Sequence, residues 1–410
     1  MQLTPETQEE INQVRSHCGY FLLEDGCLIS AKGKDTLSFL QTQTTNDVLP
    51  LQVGQGQNNA ITDRQARLIA NFSIHRIEEH SALILVDTSQ KEVLLNHLES
   101  FRFREDVQFT ALNHDLLALQ GPRSPIILEK IFSKQNQKPN DIVQLSLDKN
   151  RVDIIMKSLT GEEGYILCFQ NEFKDALMQK FLETETPPIK VSTAAREVLR
   201  IEAGLPIFGK DMDGKNILPE TGLEHTSVSY NKGCYIGQEV IARIKTYGAP
   251  NFALMGLTVE GSDLPPFNGT LQLGEKKIGT IKSSVRSVTL NKVISLAYIH
   301  KDHRSPDIDL EVTIDDKPFK VKTCLLPFYQ AQTRKDHSKK LLTQALQIYK
   351  EQDDLDHPIS LLRESIELDA KNAEAYEALG VLLSRQDKLD EAISLMKRLV
   401  EINPQEIMAH

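Results

Sequence analysis

The sequence predicts an α+β body, then a small β-barrel or sandwich, then an all-α tail, over 410 residues. Three observations carry this reading. Up to about residue 190 short apolar runs alternate with helical stretches; after Pro250 the pattern shifts to closely spaced short strands; beyond Phe328 it turns to helical periodicity. So long a chain exceeds one ordinary domain, and the breaks place the expected boundaries at 1–250, 251–329 and 330–410.

Each element follows in order. Thr4 reads as the cap of a helix with Pro5 in its first turn. Tyr20 to Leu23 and Cys27 to Ser30 look like a strand pair about the Asp25-Gly26 turn signal. A helix opens at Asp35, with Leu37, Phe39 and Leu40 on its core stripe. Ala82 to Val86 is short enough for a buried strand and precedes a helical pattern from Gln90 to Leu98. Further strands are expected at Leu116 to Leu119, Val152 to Met156 and Tyr165 to Phe169, the last after a turn at Gly161 to Gly164. A helix from Thr193 is stopped by Gly204 and Pro206. It feeds a Gly- and Asp-rich loop that leads to a second helix, beginning near Gly237 and running to about Lys245. The later strands are expected at Leu254 to Val259, Leu271 to Leu273, Lys277 to Lys282, Val293 to Tyr298 and Leu310 to Ile314.

In the tail, Tyr376, Leu379, Gly380, Leu383, Ala392, Met396 and Pro404 fall at the spacing of one tetratricopeptide repeat. One repeat length upstream the match is only partial, because Pro358 occupies the small position. Repeats stabilise by stacking, so an array this short leans on the body, on a second copy or on a protein partner. A plain helical cap is the alternative.

Composition narrows the function classes. With 40% hydrophobic and 25% charged residues the chain is of the soluble globular type. No apolar run approaches the ~20 residues of a membrane span, and the N-terminus does not read as a signal peptide. A net charge of −10 weighs against general nucleic-acid affinity, and Arg243 with Lys245 is too small a basic group to track phosphates. The five cysteines are scattered without a C-x-x-C pair, which argues against a disulfide framework and against a self-contained zinc or iron–sulfur site. No metal site is expected, and a reducing cytoplasm is the simplest location.

The most informative segment is Lys232-Gly233-Cys234-Tyr235-Ile236-Gly237-Gln238-Glu239. It sets one thiol between two glycines, beside a lysine, at the mouth of a helix. Free backbone N–H groups and a nearby ammonium both favour a thiolate, so Cys234 is the candidate functional thiol. The plainer alternative is a small apolar residue in a tight loop. Gln238 and Glu239 suit a helix start, and Arg243 stands one turn from Glu239 as its pairing partner.

These residues resemble the signature of YgfZ-type proteins, folate-binding relatives of the glycine-cleavage T-protein (aminomethyltransferase). Gly33 to Gln41 with Thr45-Asn46-Asp47-Val48 is similar to that superfamily's N-terminal segment, and Leu199-Arg200-Ile201-Glu202-Ala203-Gly204-Leu205-Pro206 to its central one. The resemblance spans residues 20 to 328 and leaves the tail outside. It implies a folate-cradling α+β body with a C-terminal β-barrel, and tetrahydrofolate or a derivative as cofactor. Glu202 matches a position that hydrogen-bonds the pterin, where one carboxylate accepts from an amino group and a ring N–H. Arg200, Lys232, Gln238 and Asn71 complete the implied cofactor set, and Gly233, Tyr235, Gly237, Glu239 and Arg243 the motif. Where aminomethyltransferases carry an acid, this chain has Ala70 and Asn71, neither of which serves as a general base. The resemblance therefore implies an accessory factor for assembly or repair of iron–sulfur proteins, including a tRNA-modifying enzyme, rather than a classical aminomethyltransferase. Two other readings remain: a one-carbon transferase using another acid such as Asp63, and a scaffold recruiting partners through the tail.

Overall fold

Alternating apolar residues build two sheets and a closed barrel in the first of two units of the chain, Met1–Gln330 and Ala331–His410. The structure is a computed structural model, described here for residues 3–132, 138–331, 334–351 and 355–402. The α+β body, barrel and helical tail expected from the sequence are all present.

The five-stranded sheet runs Gly56–Thr62, Leu68–Glu78, Ser81–Asp87, Gly26–Lys32 and Gln108–Leu112 in spatial order. One face packs Ile29, Ala70, Phe72, Ile74 and Ile84 against Phe39 of helix Thr36–Gln43 and Leu94 of helix Thr88–Phe101. The other face packs Leu28, Leu83 and Leu85 against Leu116, Ile155 and Ile166 of the second sheet. That sheet orders Ile189–Lys190, Gly19–Leu22, His114–Gln120, Gly164–Gln170, Asn150–Met156 and Ile142–Leu147.

The expected pairing about Asp25-Gly26 does not form. Gly19–Leu22 and Gly26–Lys32 are both strands, but they belong to different sheets, the first pairing with His114–Gln120 and the second with Ser81–Asp87. Each is buried among long-range partners, and tertiary pairing overrides a local turn signal.

The barrel settles the open choice between barrel and sandwich. Six strands close in the order Phe252–Val259, Lys292–His300, Lys276–Ser287, Thr270–Leu273, Asp309–Ile314 and Lys317–Cys324, around Leu257, Ile278, Ile281, Ile299 and Ile314. The last strand, Lys317–Cys324, is an addition to the expected set: it carries Pro318 and three lysines among eight residues, which weakens its apolar signal. Helix Pro5–Ser16 is capped by Thr4 as expected, its side chain accepting from the Thr7 N–H. In the second unit, helices Arg334–Glu351, Asp356–Leu368, Ala373–Arg385 and Leu389–Ile402 bury Leu342, Leu362, Leu379 and Leu383 together. Gly380 admits the Met396 side chain, which a Cβ there would strike at 2.2 Å. Pro404 lies outside the described residues. Among the described residues no helix is long and apolar enough to cross a membrane.

Candidate functional site

The platform of the site is the hairpin of Gly56–Thr62 and Leu68–Glu78, which the sequence reading did not find. Its inner face carries Asn58, Asn71, Ser73 and His75, and from Ala70 to His75 polar residues alternate with Ala70, Phe72 and Ile74 of the core face, which is the period-two signal of a strand. A bulge at Ile69 shifts the register, so Leu68 joins the inner cluster while Ala70 points to the core. Of the two positions where an acid was sought, Ala70 is fully buried against the helices and only Asn71 shares the inner face with Ser73. The Asn71 N–H donates to Gln90 Oε1 at 2.8 Å, and its Oδ1 is buried without a partner.

Three segments converge on this hairpin. Thr45 Oγ1 donates to the Ser227 carbonyl at 2.6 Å and accepts from the Ala60 N–H at 3.1 Å. Asn46 Nδ2 donates to the carbonyls of Asn58 and Thr226. The N-terminal motif thus straps the edge strand to the chain that leads into the cysteine segment. At the hairpin turn, Leu68 N–H donates to the Asn216 carbonyl and Leu218 N–H to that of Ala66, which joins the 216–220 segment to the same end.

The cysteine segment is held by its neighbours. Helix Gln238–Tyr247 begins as expected, with Gly237 as its N-cap in the left-handed region at φ +87. A Cβ at Gly237 would meet Thr62 Oγ1 at 2.5 Å and the Asp63 carbonyl at 2.6 Å, so only glycine permits this close approach. Tyr235 and Ile241 pack with Ala60, Ala66 and Leu68. Cys234 itself is exposed. Burial pushes the thiols of Cys18, Cys27, Cys168 and Cys324 upward, Cys324 to about 11, so these are held as thiols.

Lys232 is held by the backbone of the N-terminal motif. Its Nζ donates to the carbonyls of Gln41, Thr44 and Asn46 at 2.5, 2.5 and 2.9 Å. An ammonium has three donors; all three satisfy carbonyls at the end of helix Thr36–Gln43, and none is left for a cofactor. Burial lowers this ammonium to about 8 despite a favourable Asp47. Gln238 Nε2 donates to the Lys232 carbonyl at 3.4 Å and closes the cysteine loop. Arg243 and Glu239 form the expected one-turn pair at 2.9 Å, both exposed. Gly233 stands in open space.

The central motif builds a frame of buried ion pairs and hydrogen bonds. Arg200 uses all five donors: two go to Glu197, one each to the Leu205 carbonyl, Asp211 Oδ2 and Ser283 Oγ. Glu202 is fully buried, and its carboxylate accepts from Arg15 at 2.7 Å, Ser287 Oγ at 2.6 Å, and the N–H and Oγ1 of Thr289 at 3.2 and 2.9 Å. Four acceptor positions are filled, so a pterin would have to displace an existing bond. Both residues sit on helix Thr193–Glu202 and lock the barrel strand Lys276–Ser287 onto it.

A carboxylate with spare capacity is Glu220, which lies outside the expected site residues. It is half-buried in a short turn at Leu218–Glu220, and its ring of partners is thin: Asn216 Nδ2 at 3.4 Å and the Ile217 N–H. Desolvation raises its pKa, only partly offset by those two bonds. Near it the Tyr298 hydroxyl is buried without a partner, and the carboxylates of Glu220, Asp211 and Asp213 join burial in raising that phenol. Lys282 lies 6.0 Å over the Tyr298 ring. The available sequence signal was the Leu218-Pro219-Glu220-Thr221-Gly222 turn beside a barrel tyrosine. Among the described residues no cluster of three His, Cys, Asp or Glu is arranged to hold a metal.

Residues 1–232 match the GCVT N-terminal domain, which is more than half of the chain. The chain belongs to this family. Residues 253–330 match the glycine cleavage T-protein C-terminal barrel domain, and residues 361–394 a tetratricopeptide repeat. Among relatives of this T-protein-family chain are aminomethyltransferases of Bacillus cytotoxicus and Bacillus cereus, each 29% identical over 79% of this chain and 90% of the relative. The solved glycine cleavage system aminomethyltransferase T of Bartonella henselae has the same fold, with a TM-score of 0.73 and 21% identity over 80% of this chain and 90% of that one. The matches are to the T-protein family as a whole and leave the narrower YgfZ-type assignment a proposal.

Proposed function

We propose that this T-protein-family chain is a tetrahydrofolate-binding protein without aminomethyltransferase activity, and that it serves as a YgfZ-type accessory factor for iron–sulfur proteins. The observation that carries the folate part is Glu220, a half-buried carboxylate with few hydrogen-bond partners, whose charge is felt at the buried and unpartnered hydroxyl of Tyr298 on the barrel. A pterin offers an amino group and a ring N–H in a row, which a fixed carboxylate accepts as a bidentate pair. Glu220 takes the role first expected of Glu202, and Arg200 and Glu202 hold the frame around it. Calorimetric titration with tetrahydrofolate tests this: binding by the wild type, lost in Glu220→Gln, is expected. No heat with the wild type would refute it.

The absence of transferase activity rests on Asn71. It occupies the inner-face position where an acid would act, and an amide cannot take up a proton at neutral pH. The aminomethyltransferase names of the relatives favour a second reading, one-carbon transfer with Asp63 as substitute acid. Against it, Asp63 Oδ1 is committed to the N–H groups of Gln65 and Arg67, where it shapes the hairpin turn. Turnover of a labelled one-carbon folate separates the two, and none is expected.

For the accessory role, Cys234 is an exposed thiol on a segment fixed by Lys232 and Gly237, and so presentable to a client protein. A single cysteine donates one bond to a cluster but cannot hold one alone, which makes the client the bearer of the cluster. In cells lacking the native protein, cluster-enzyme activity should return with the wild type but not with Cys234→Ala; equal rescue would remove the thiol role. The tetratricopeptide-like tail, with Val381, Leu389 and Ile393 exposed, is the candidate for contact with a protein partner.

A further inference from the structure

The helices of the second unit stack so that Leu389–Ile402 is the last described one, and it packs on Ala373–Arg385. Its inner side is spent on that contact: Ala392 and Leu399 are buried, and Met396 rests on Gly380. A second apolar row is left open. Leu389, Ile393 and Val400 are 56%, 53% and 47% exposed, and with Met396 they recur at intervals of four, three and four residues. Val381 of the neighbouring helix, 54% exposed, lines the same groove. A mean spacing of 3.5 residues is what keeps one seam of a helix against another helix. An exposed row this continuous marks a contact surface, unlike apolar residues scattered singly.

Charge decides the occupant. Asp390 and Lys397 are seven residues apart, so they stand on the same edge of the row, two turns from each other. Both are exposed, and among the described residues neither makes an ion pair. Their opposite signs make the row self-complementary in one orientation. When two copies of the helix run antiparallel about a two-fold axis between Ile393 and Met396, Leu389 meets Val400 of the second copy and Ile393 meets its Met396. The same axis brings Asp390 beside Lys397 of the second copy, and does so twice. A partner of unrelated sequence accounts for the apolar row but gives no reason for opposite charges placed about its midpoint.

We propose that the open face of Leu389–Ile402 is a self-association surface, occupied by the same face of a second copy of this chain. This deepens the protein-contact role proposed for the tail by naming the partner at this face, and it does not depend on the folate reading. Five apolar side chains make less than a standard interface of about 1,600 Å², so the association is weak and concentration-dependent.

Sedimentation velocity of the full chain tests it, over concentrations from about 1 to 200 µM, where micromolar association is read. The wild type is expected to shift from monomer towards dimer across this range. Asp390→Lys and Lys397→Glu each set like charges side by side in both pairs and should raise the dissociation constant at least tenfold, as should Ile393→Asp. An equimolar mixture of Asp390→Lys and Lys397→Glu restores opposite signs in both pairs and should recover the wild-type dimer. All three positions are exposed, so the helix tolerates the changes, and circular dichroism checks it. A wild type that stays monomeric overturns the proposal. So does a dimer indifferent to all three substitutions, or a mixture that fails to recover. Client binding through residues 331–410 of a chain that stays monomeric keeps the recruiting role of the tail and removes this one.

Discussion

Glu202 and Glu220 show how one residue type divides into two roles eighteen positions apart. Glu202 has four partners and 0% exposure, and a buried pair broken on one side costs about 3 to 5 kcal/mol. Glu202→Ala should therefore lower the chemical-denaturation midpoint strongly, with ligand affinity falling only as the fold does. Glu220→Gln should leave that midpoint in place, or raise it, while abolishing tetrahydrofolate binding. The sign of its pH dependence follows from its raised pKa. A carboxyl more readily protonated in the folded state stabilises fully below its ordinary value of 4.5 and loses that contribution as pH rises through the folded value. Ligand binding, which needs the carboxylate, should decline on acidification at a pH above 4.5. Lys157 has the opposite sign: its contribution is present above 10.5 and lost as pH falls through about 8. Lys157→Met should accordingly be more stable than the wild type at pH 7, the gap closing between pH 8 and 10.5, as measured by urea unfolding across that range. Motif residues were legible by type and spacing. Which of them were spent on structure was not, because that depends on Arg15, Ser287 and Thr289, which are remote in sequence.

At the scale of elements, the cysteine segment illustrates how much a local pattern can say. Its glycines and the apolar residues after them located the helix to within two residues. Gly237→Ala should destabilise by about 1 kcal/mol or more, since it combines a positive φ with contacts below 3.0 Å to the Thr62 hydroxyl and the Asp63 carbonyl. The faster reaction of Cys234 with a thiol reagent in that variant would report the loosened segment. The 56–78 hairpin is the contrary case. Its inner face is lined with Asn58, Asn71, Ser73 and His75, which alternate with Ala70, Phe72 and Ile74, so the strand was legible as a period-two pattern, while the pairing that makes it a hairpin with Gly56–Thr62 was not. The same polar face is what makes the strand chemically interesting.

Over the whole molecule, the two units make a prediction of their own. Residues 1–330 contain both sheets, the barrel and every candidate site residue. A chain truncated after residue 330 should keep its folate affinity and its main unfolding transition, while losing any client contact that runs through the tail; unchanged client capture would remove the recruiting role of residues 331–410. The class of fold, the change from body to barrel to helices, and the helix starts at Thr4 and Gly237 were determined by the sequence itself, because they rest on local periodicity, capping and composition. Only the tertiary structure decided that Gly19–Leu22 and Gly26–Lys32 part into separate sheets, that Lys232 serves three carbonyls, that Glu202 is saturated and Glu220 is not, and that Lys157 reaches Asn58 and Ser73. The reason is physical: which partner a charged group finds depends on chain segments that sequence distance does not order, and a buried charge is settled by whichever partner reaches it.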